Sequence, residues 1–135
     1  MIVYNQAIRD PANPTSFVRS SLVLDAVVGR YEMTVQVLAD NPRERDWRAE
    51  FTTVAGRYER AADSFTFHVE TGSTAVCSSA WRGRGVEPFA PFPSFTGALD
   101  GDRITVAYLG EIVLERSEGR PYATANLVIP DYEFS

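Results

Sequence analysis

Hydrophobic and polar residues alternate along most of this chain with a period of two, which is the pattern of half-buried β-strands. The alternation is clearest over residues 28–38, where Tyr31 and Met33 fall on one face. Arg30 and Glu32 fall on the other face. This segment therefore predicts a strand with one side in a core and one side in solvent.

Similar alternating stretches follow along the chain, separated by the Gly, Pro, Asn and Asp residues that favour turns. They predict strands at residues 17–24, 47–58, 65–70, 75–81, 104–108, 111–116 and 122–129. Residues 1–8 fit either a short strand or part of an N-terminal arm over residues 1–16. No segment has a helical period, so the sequence predicts an all-β protein.

One sequence unit recurs and indicates how the strands connect. Residues 29–32, Gly-Arg-Tyr-Glu, reappear unchanged at residues 56–59, and residues 95–102 echo them more weakly. The later copies run into alternating stretches at 65–69 and 104–108, so the unit reads as strand, tight turn, strand. Repeated hairpins in 135 residues predict a single domain, residues 1–135, folded as an antiparallel up-and-down β-barrel of about eight strands.

The strand that begins at Trp47 changes phase. Trp47 and Phe51 share one parity, whereas Val54 and Tyr58 have the opposite parity. This slip predicts a β-bulge near residues 52–53, which would bend the strand around a barrel.

Residues 83–93 differ in composition from the rest, with three prolines, two glycines and two phenylalanines. Such a segment predicts irregular structure. It is either a connection made stiff by proline or a lid whose Phe89 and Phe92 cover the mouth of the barrel.

Charge and composition exclude several classes of function. The net charge of −5 disfavours nucleic-acid binding, and the absence of lysine excludes a lysine Schiff base and a lysine-containing phosphate loop. No apolar run approaches the ~20 residues of a membrane span, and the first residues do not resemble a signal peptide. We expect a cytoplasmic monomer or homodimer that has no cofactor and does not bind membranes.

The reactive side chains are few. His68 is the single histidine, and alternation places it on a polar face, while Cys77 is the single cysteine. A catalytic triad needs an oriented histidine beside a nucleophile, and a metal site needs several ligands. Asp100 and Asp102 flank a turn glycine, which is a backbone role. The sequence therefore favours neither nucleophilic catalysis nor metal binding.

Aromatic and other large side chains fall on the faces predicted to point into the barrel. They are Tyr31, Met33, Trp47, Phe51, Tyr58, Phe65, Phe67, Trp81 and Tyr108. They either fill a solid core or line a cavity, because an eight-stranded barrel can do both. Arg57 lies beside the predicted bulge and points either into such a cavity or into water.

The pattern as a whole resembles the lipocalin-like (calycin) superfamily. Glycine followed two residues later by Tyr31 is similar to the start of an early strand in that family, and residues 110–116, Gly-Glu-Ile-Val-Leu-Glu-Arg, are similar to a late strand. The chain differs from secreted lipocalins in having Tyr31 where tryptophan is typical and in having no cysteine pair. It is closer to small bacterial lipocalin-like proteins, which include cofactor-free cyclases that promote an intramolecular [4+2] cycloaddition.

The resemblance implies a hydrophobic small molecule in the barrel, and we expect a cofactor-free cyclase or isomerase in natural-product biosynthesis. Tyr31, Trp81 and Arg57 are the candidate catalytic residues, because a hydrogen bond or a charge could polarise a carbonyl. Candidate substrate-binding residues are Met33, Trp47, Phe51, Tyr58, Phe65, Phe67, Phe89, Phe92 and Tyr108. The alternatives are a carrier barrel without chemistry and a filled barrel that binds a protein partner.

Overall fold

A computed structural model describes residues 1–80 and 93–130 and the backbone strand at 85–88. The strands are β1 Ile2–Asp10, β2 Asn13–Asp25, β3 Arg30–Asn41, β4 Asp46–Ala61, β5 Ser64–His68, β6 Thr71–Ser78, β7 Gly85–Pro88, β8 Ser94–Asp100, β9 Arg103–Ala107 and β10 Glu111–Ser117.

The strands form a closed, antiparallel, eight-stranded barrel, as the sequence predicts. Each strand pairs with the next along the chain except at β5–β6 and β7–β8, and β10 returns to pair with β1, from Val3↔Ser117 to Asn5↔Glu115. β5 and β6 together occupy one position in the ring, because both pair with the same edge of β4. β7 and β8 share the next position, since they pair with β6 and β5 respectively.

The two Gly-Arg-Tyr-Glu copies lie side by side. Arg30 is opposite Arg57, and Tyr31 is opposite Gly56. Gly29 precedes β3 in a turn with a φ of 66°, whereas Gly56 lies inside β4. The copies therefore pair with each other in antiparallel register, although only the first one follows a turn.

The predicted bulge near residues 52–53 is wrong. The register between β3 and β4 is continuous, and so is the register between β4 and β6. The irregularity lies instead between β5 and β6, at residues 69–70. The change of phase in β4 has another cause: its inner face is buried at the Val54 end and its outer face is buried at the Trp47 end.

Two other expectations need correction, and one open alternative is resolved. Of the two alternatives for residues 1–8, the strand is correct, because Ile2–Asp10 form β1, and the start of β2 replaces the rest of the arm considered over residues 1–16. Residues 122–129 are not a strand, because their backbone amides and carbonyls bind side chains of the sheet and form no backbone ladder with it. Residues 85–88 are strand β7, because they pair with the backbone of β6, although their composition predicted irregular structure.

Candidate functional site

The interior of the barrel is filled at the end where β5, β8, β9 and β10 lie. We call this part the packed half. Phe67 stacks on Phe65 with ring centroids 5.7 Å apart and on Phe95 at 4.8 Å. The buried cluster consists of Tyr4, Leu22, Leu24, Tyr31, Met33, Val54, Phe65, Phe67, Phe95, Ile104, Val106, Tyr108 and Leu114. Tyr58 packs against it from the edge. Five predicted residues thus face inward and belong to this one packed cluster or pack against it, namely Met33, Tyr58, Phe65, Phe67 and Tyr108.

Tyr31 also faces inward, and its hydroxyl is already used within the protein. It donates a hydrogen bond of 3.0 Å to the backbone carbonyl of His68, and its ring meets Phe67 edge-on. Burial raises the pKa of Tyr31, and the nearby charges of Tyr108 and Glu70 raise it further. Burial likewise raises the pKa of Tyr108. Both phenols are therefore neutral at ordinary pH.

Away from this cluster, the inner face continues down β1, β2, β3, β4 and β6, and its side chains keep partial access to solvent. We call this part the open half. Residues opposite one another in an antiparallel sheet share a face, so the register defines two inner rows. One row is Gln6, Ser20, Val35, Thr52 and Thr74, and the other is Ile8, Val18, Val37, Glu50 and Val76. Apart from Ser20, these residues are partly buried or exposed, and Ile8 is 54% exposed.

Ser20 lies where the open half meets the packed half, between Leu22 and Val18 on the inner face of β2. It is 1% exposed, and its Oγ has no hydrogen-bond partner among the described residues. A buried hydroxyl without a partner is costly, so such a group is a candidate for contact with a bound molecule.

The outer face of the same strands is covered by residues 120–130, which we call the C-terminal strap. Gln36 Nε2 donates to the carbonyls of Thr124 and Asn126, each at 2.6 Å. Further along, Leu127 and Ile129 pack against a second apolar cluster. That cluster consists of Phe17, Leu38, Trp47, Ala49 and Cys77. In the open half, the strap thus covers the outer face of the sheet, whereas the side chains of the inner face keep access to solvent.

Three candidate residues lie outside the barrel interior, contrary to expectation for Trp47 and Phe51 and in agreement with the water-facing alternative for Arg57. Trp47 and Phe51 are buried, but on the outer face, because they lie opposite Asp40 and Gln36, which point away from the interior. The side chain of Arg57 is 64% exposed and its Nε lies 3.1 Å from Glu70, which Arg30 also binds. The hydrogen bond from Arg30 lowers the pKa of Glu70.

Trp81, Phe89 and Phe92 lie outside the described residues, and so does most of the segment predicted to be a lid. Their roles stay predictions. Ser20 and the valines of the open half were not among the candidates, because the sequence argument considered aromatic side chains. The alternation in β2 does contain the signal, since Ser20 interrupts an otherwise apolar inner face with a hydroxyl.

Among the residues that the structure describes, no three His, Cys, Asp or Glu side chains lie together as a metal site requires. The described part of the chain also contains no helix that is long and apolar enough to span a membrane. No protein-family model matches the sequence, and the search of curated proteins finds no match.

Proposed function

We propose that the open half of the barrel binds an elongated, largely apolar small molecule along its two inner rows. One observation supports this proposal above the others: Val18, Val35 and Val37 keep solvent access on the inner face, whereas the strap covers the outer face of the same strands. When a ligand covers apolar surface and removes it from water, binding becomes more favourable by about 25 cal/mol per Å² of buried surface.

The polar groups of the open half give the proposed ligand an orientation. The Ser20 hydroxyl lies at the deep end of the inner face, where it can donate to a carbonyl or accept from a hydroxyl. Glu50 lies opposite Val37 and Val76 in the second inner row, with its carboxylate 3.4 Å from Arg48. A few polar groups in an apolar wall are typical of small-molecule sites.

Binding can be tested with the methyl ester of a conjugated tetraene fatty acid, which fluoresces when it is removed from water. We expect saturable binding to the unmodified protein. Val37→Trp places a large side chain on the inner row and should weaken binding at least tenfold. The matched control is Val23→Trp, because Val23 is partly buried on the outer face, opposite Glu32.

Equal affinity for the ester in both tryptophan variants would contradict the proposal, provided that both retain the thermal unfolding transition of the parent. Absence of binding to the parent protein would also contradict it.

A second candidate function adds chemistry at the same place, namely an intramolecular [4+2] cyclisation. The wall consists largely of valine and threonine, whose branched side chains have few rotamers and so give a surface of fixed shape. Such a surface can hold a flexible chain folded, and positioning alone contributes up to ~7–11 kcal/mol in favourable cases. A Ser20 hydrogen bond to a carbonyl on the alkene would withdraw electrons and lower the barrier further.

This reaction consumes three π bonds and forms two carbon–carbon σ bonds and one new π bond, and no atom is gained or lost, so the product has the mass of the substrate. A linear trienone, with a diene at one end and an enone at the other, is a suitable probe. We expect a bicyclic ketone of the same mass, formed about tenfold more slowly by Ser20→Ala because one hydrogen bond is lost. If the trienone binds and is recovered unchanged, the protein is a carrier and not a cyclase.

A further inference from the structure

A second cavity lies outside the barrel, between the end of the C-terminal strap and the outer face of β1, β2 and β3. Its volume is about 380 Å³, which is within the range of small-molecule sites. Phe17 and Leu38 contribute apolar surface from the sheet, and Val128, Ile129 and Pro130 contribute it from the strap. We call this cavity the strap groove.

Two arginines line the strap groove. Arg9 lies opposite Phe17 on the sheet, and its Nη1 donates to the carbonyl of Pro14 at 2.6 Å. Arg19 is partly buried and lies beside Phe17 on the same face of β2. Asp40 also lines the groove, but among the described residues there the two arginines outnumber this one carboxylate. The charge of the described groove lining is therefore positive, although the protein as a whole is acidic.

The guanidinium of Arg19 is stacked on an aromatic ring. Its central carbon lies 4.1 Å above the centre of the Phe17 ring, which is a cation–π contact. Among the described residues, no hydrogen bond or ion pair engages its N–H groups. An arginine stacked on an aromatic ring presents a planar fork of donors, and this fork matches the two oxygens of a carboxylate.

We propose that the strap groove binds a small carboxylate with a flat apolar body. The carboxylate pairs with Arg19, with Arg9 as a second cation at the rim, and the body lies against Leu38 and Ile129. This site is separate from the barrel interior, because the groove residues of the sheet lie on the outer face. The inference does not depend on the proposed function.

Titration calorimetry with naphthalene-2-carboxylate tests the proposal, with naphthalene-2-carboxamide as the uncharged comparison. We expect the carboxylate to bind at least tenfold more tightly than the amide. Arg19→Gln should remove this preference, and Arg19→Lys should restore only part of it, because lysine keeps the charge but not the fork. Arg103→Gln is the matched control, because Arg103 pairs with Glu115 on other strands.

Equal affinity for acid and amide in the parent protein would overturn the proposal. Unchanged carboxylate affinity in Arg19→Gln would overturn it too, and the thermal unfolding transition of that variant shows whether it is folded. In the parent, bound carboxylate should shift the NMR signals of the Val128 and Ile129 methyl groups. Shifts confined to Val18 and Val37 would place the carboxylate in the barrel and contradict the assignment.

Discussion

At the scale of single residues, Gly56 shows how the repeated unit serves the fold. A Cβ added to Gly56 would lie 2.0 Å from the carbonyl oxygen of His68 and 3.0 Å from the amide nitrogen of Glu70. Both are backbone atoms, so they cannot move aside as a flexible side chain can. The chain approaches Gly56 closely here because β5 gives way to β6 at this point.

Gly56→Ala should therefore destabilise the barrel by about 2–4 kcal/mol, as overpacking at a rigid site does. Urea denaturation of the variant measures this loss. Gly101→Ala is the matched control: Gly101 has a φ of 62° but no atom within 4 Å of an added Cβ, so only about 1 kcal/mol is expected. Equal losses in both variants would show that the close contact at Gly56 is unimportant.

Tyr31 leads to a prediction about alkaline pH. Its pKa in the folded protein is raised above the value of about 10 in an unfolded chain. The unfolded chain therefore releases this proton first, so the stabilisation is complete below pH ~10 and is lost as the pH rises above it. Tyr31→Phe should make the free energy of unfolding fall less steeply over this range, measured by urea denaturation at several pH values.

Tyr108 has a raised pKa as well, so Tyr31→Phe should remove only part of the slope and the double variant with Tyr108→Phe more of it. A slope that is the same in the parent and in both variants would mean that these phenols do not titrate differently in the two states.

Residue-level prediction from the sequence worked where one face of a strand is buried. Alternation correctly placed Met33 and Phe67 inside the barrel, because next to these residues only one face of the strand carries large apolar side chains. It failed for Trp47 and Phe51, because both faces of β4 are buried in part, and a period of two does not tell inner from outer. Of the two orientations considered for Arg57, the one facing water is correct.

At the scale of elements, the C-terminal strap replaces the final strand that the sequence predicts. Ala123 and Tyr122 donate their amides to Ser21 Oγ and Asn5 Oδ1, and Gln36 binds two strap carbonyls. These are side-chain partners on three neighbouring strands. Alternation in the sequence cannot distinguish a strand from an extended segment held in this way, because both place every second residue against the protein.

Gln36→Leu should loosen the strap, because its two hydrogen bonds are lost and two strap carbonyls lose their partner. We expect amide exchange in residues 120–130 to accelerate at least tenfold while exchange in β8 and β9 stays the same. Thr96→Val is the control, since Thr96 is exposed on β8, away from the strap. If strap exchange is unchanged in Gln36→Leu, the apolar contacts of Leu127 and Ile129 hold the strap alone.

At the scale of the whole molecule, one half of the barrel interior is filled with packed side chains, and the other half keeps access to solvent. The packed half concentrates stacked aromatic rings in one cluster. In the open half, the strap packs against the outer face of the sheet and stabilises it there. The inner face of these strands therefore does not need to be packed. The closed eight-stranded architecture could be predicted from repeats and alternation, but this division could not, because it depends on which face a distant segment covers.

The central claim is that an apolar molecule binds the inner face of the open half. NMR titration of the methyl-labelled protein with the tetraene methyl ester tests it most directly, because the ester carries no carboxylate for Arg19. We predict shifts at the methyl groups of Val18, Val35, Val37 and Val76 and none at Ile129. Shifts at Ile129 that leave these four valines unchanged, or no saturable shift, would contradict the account.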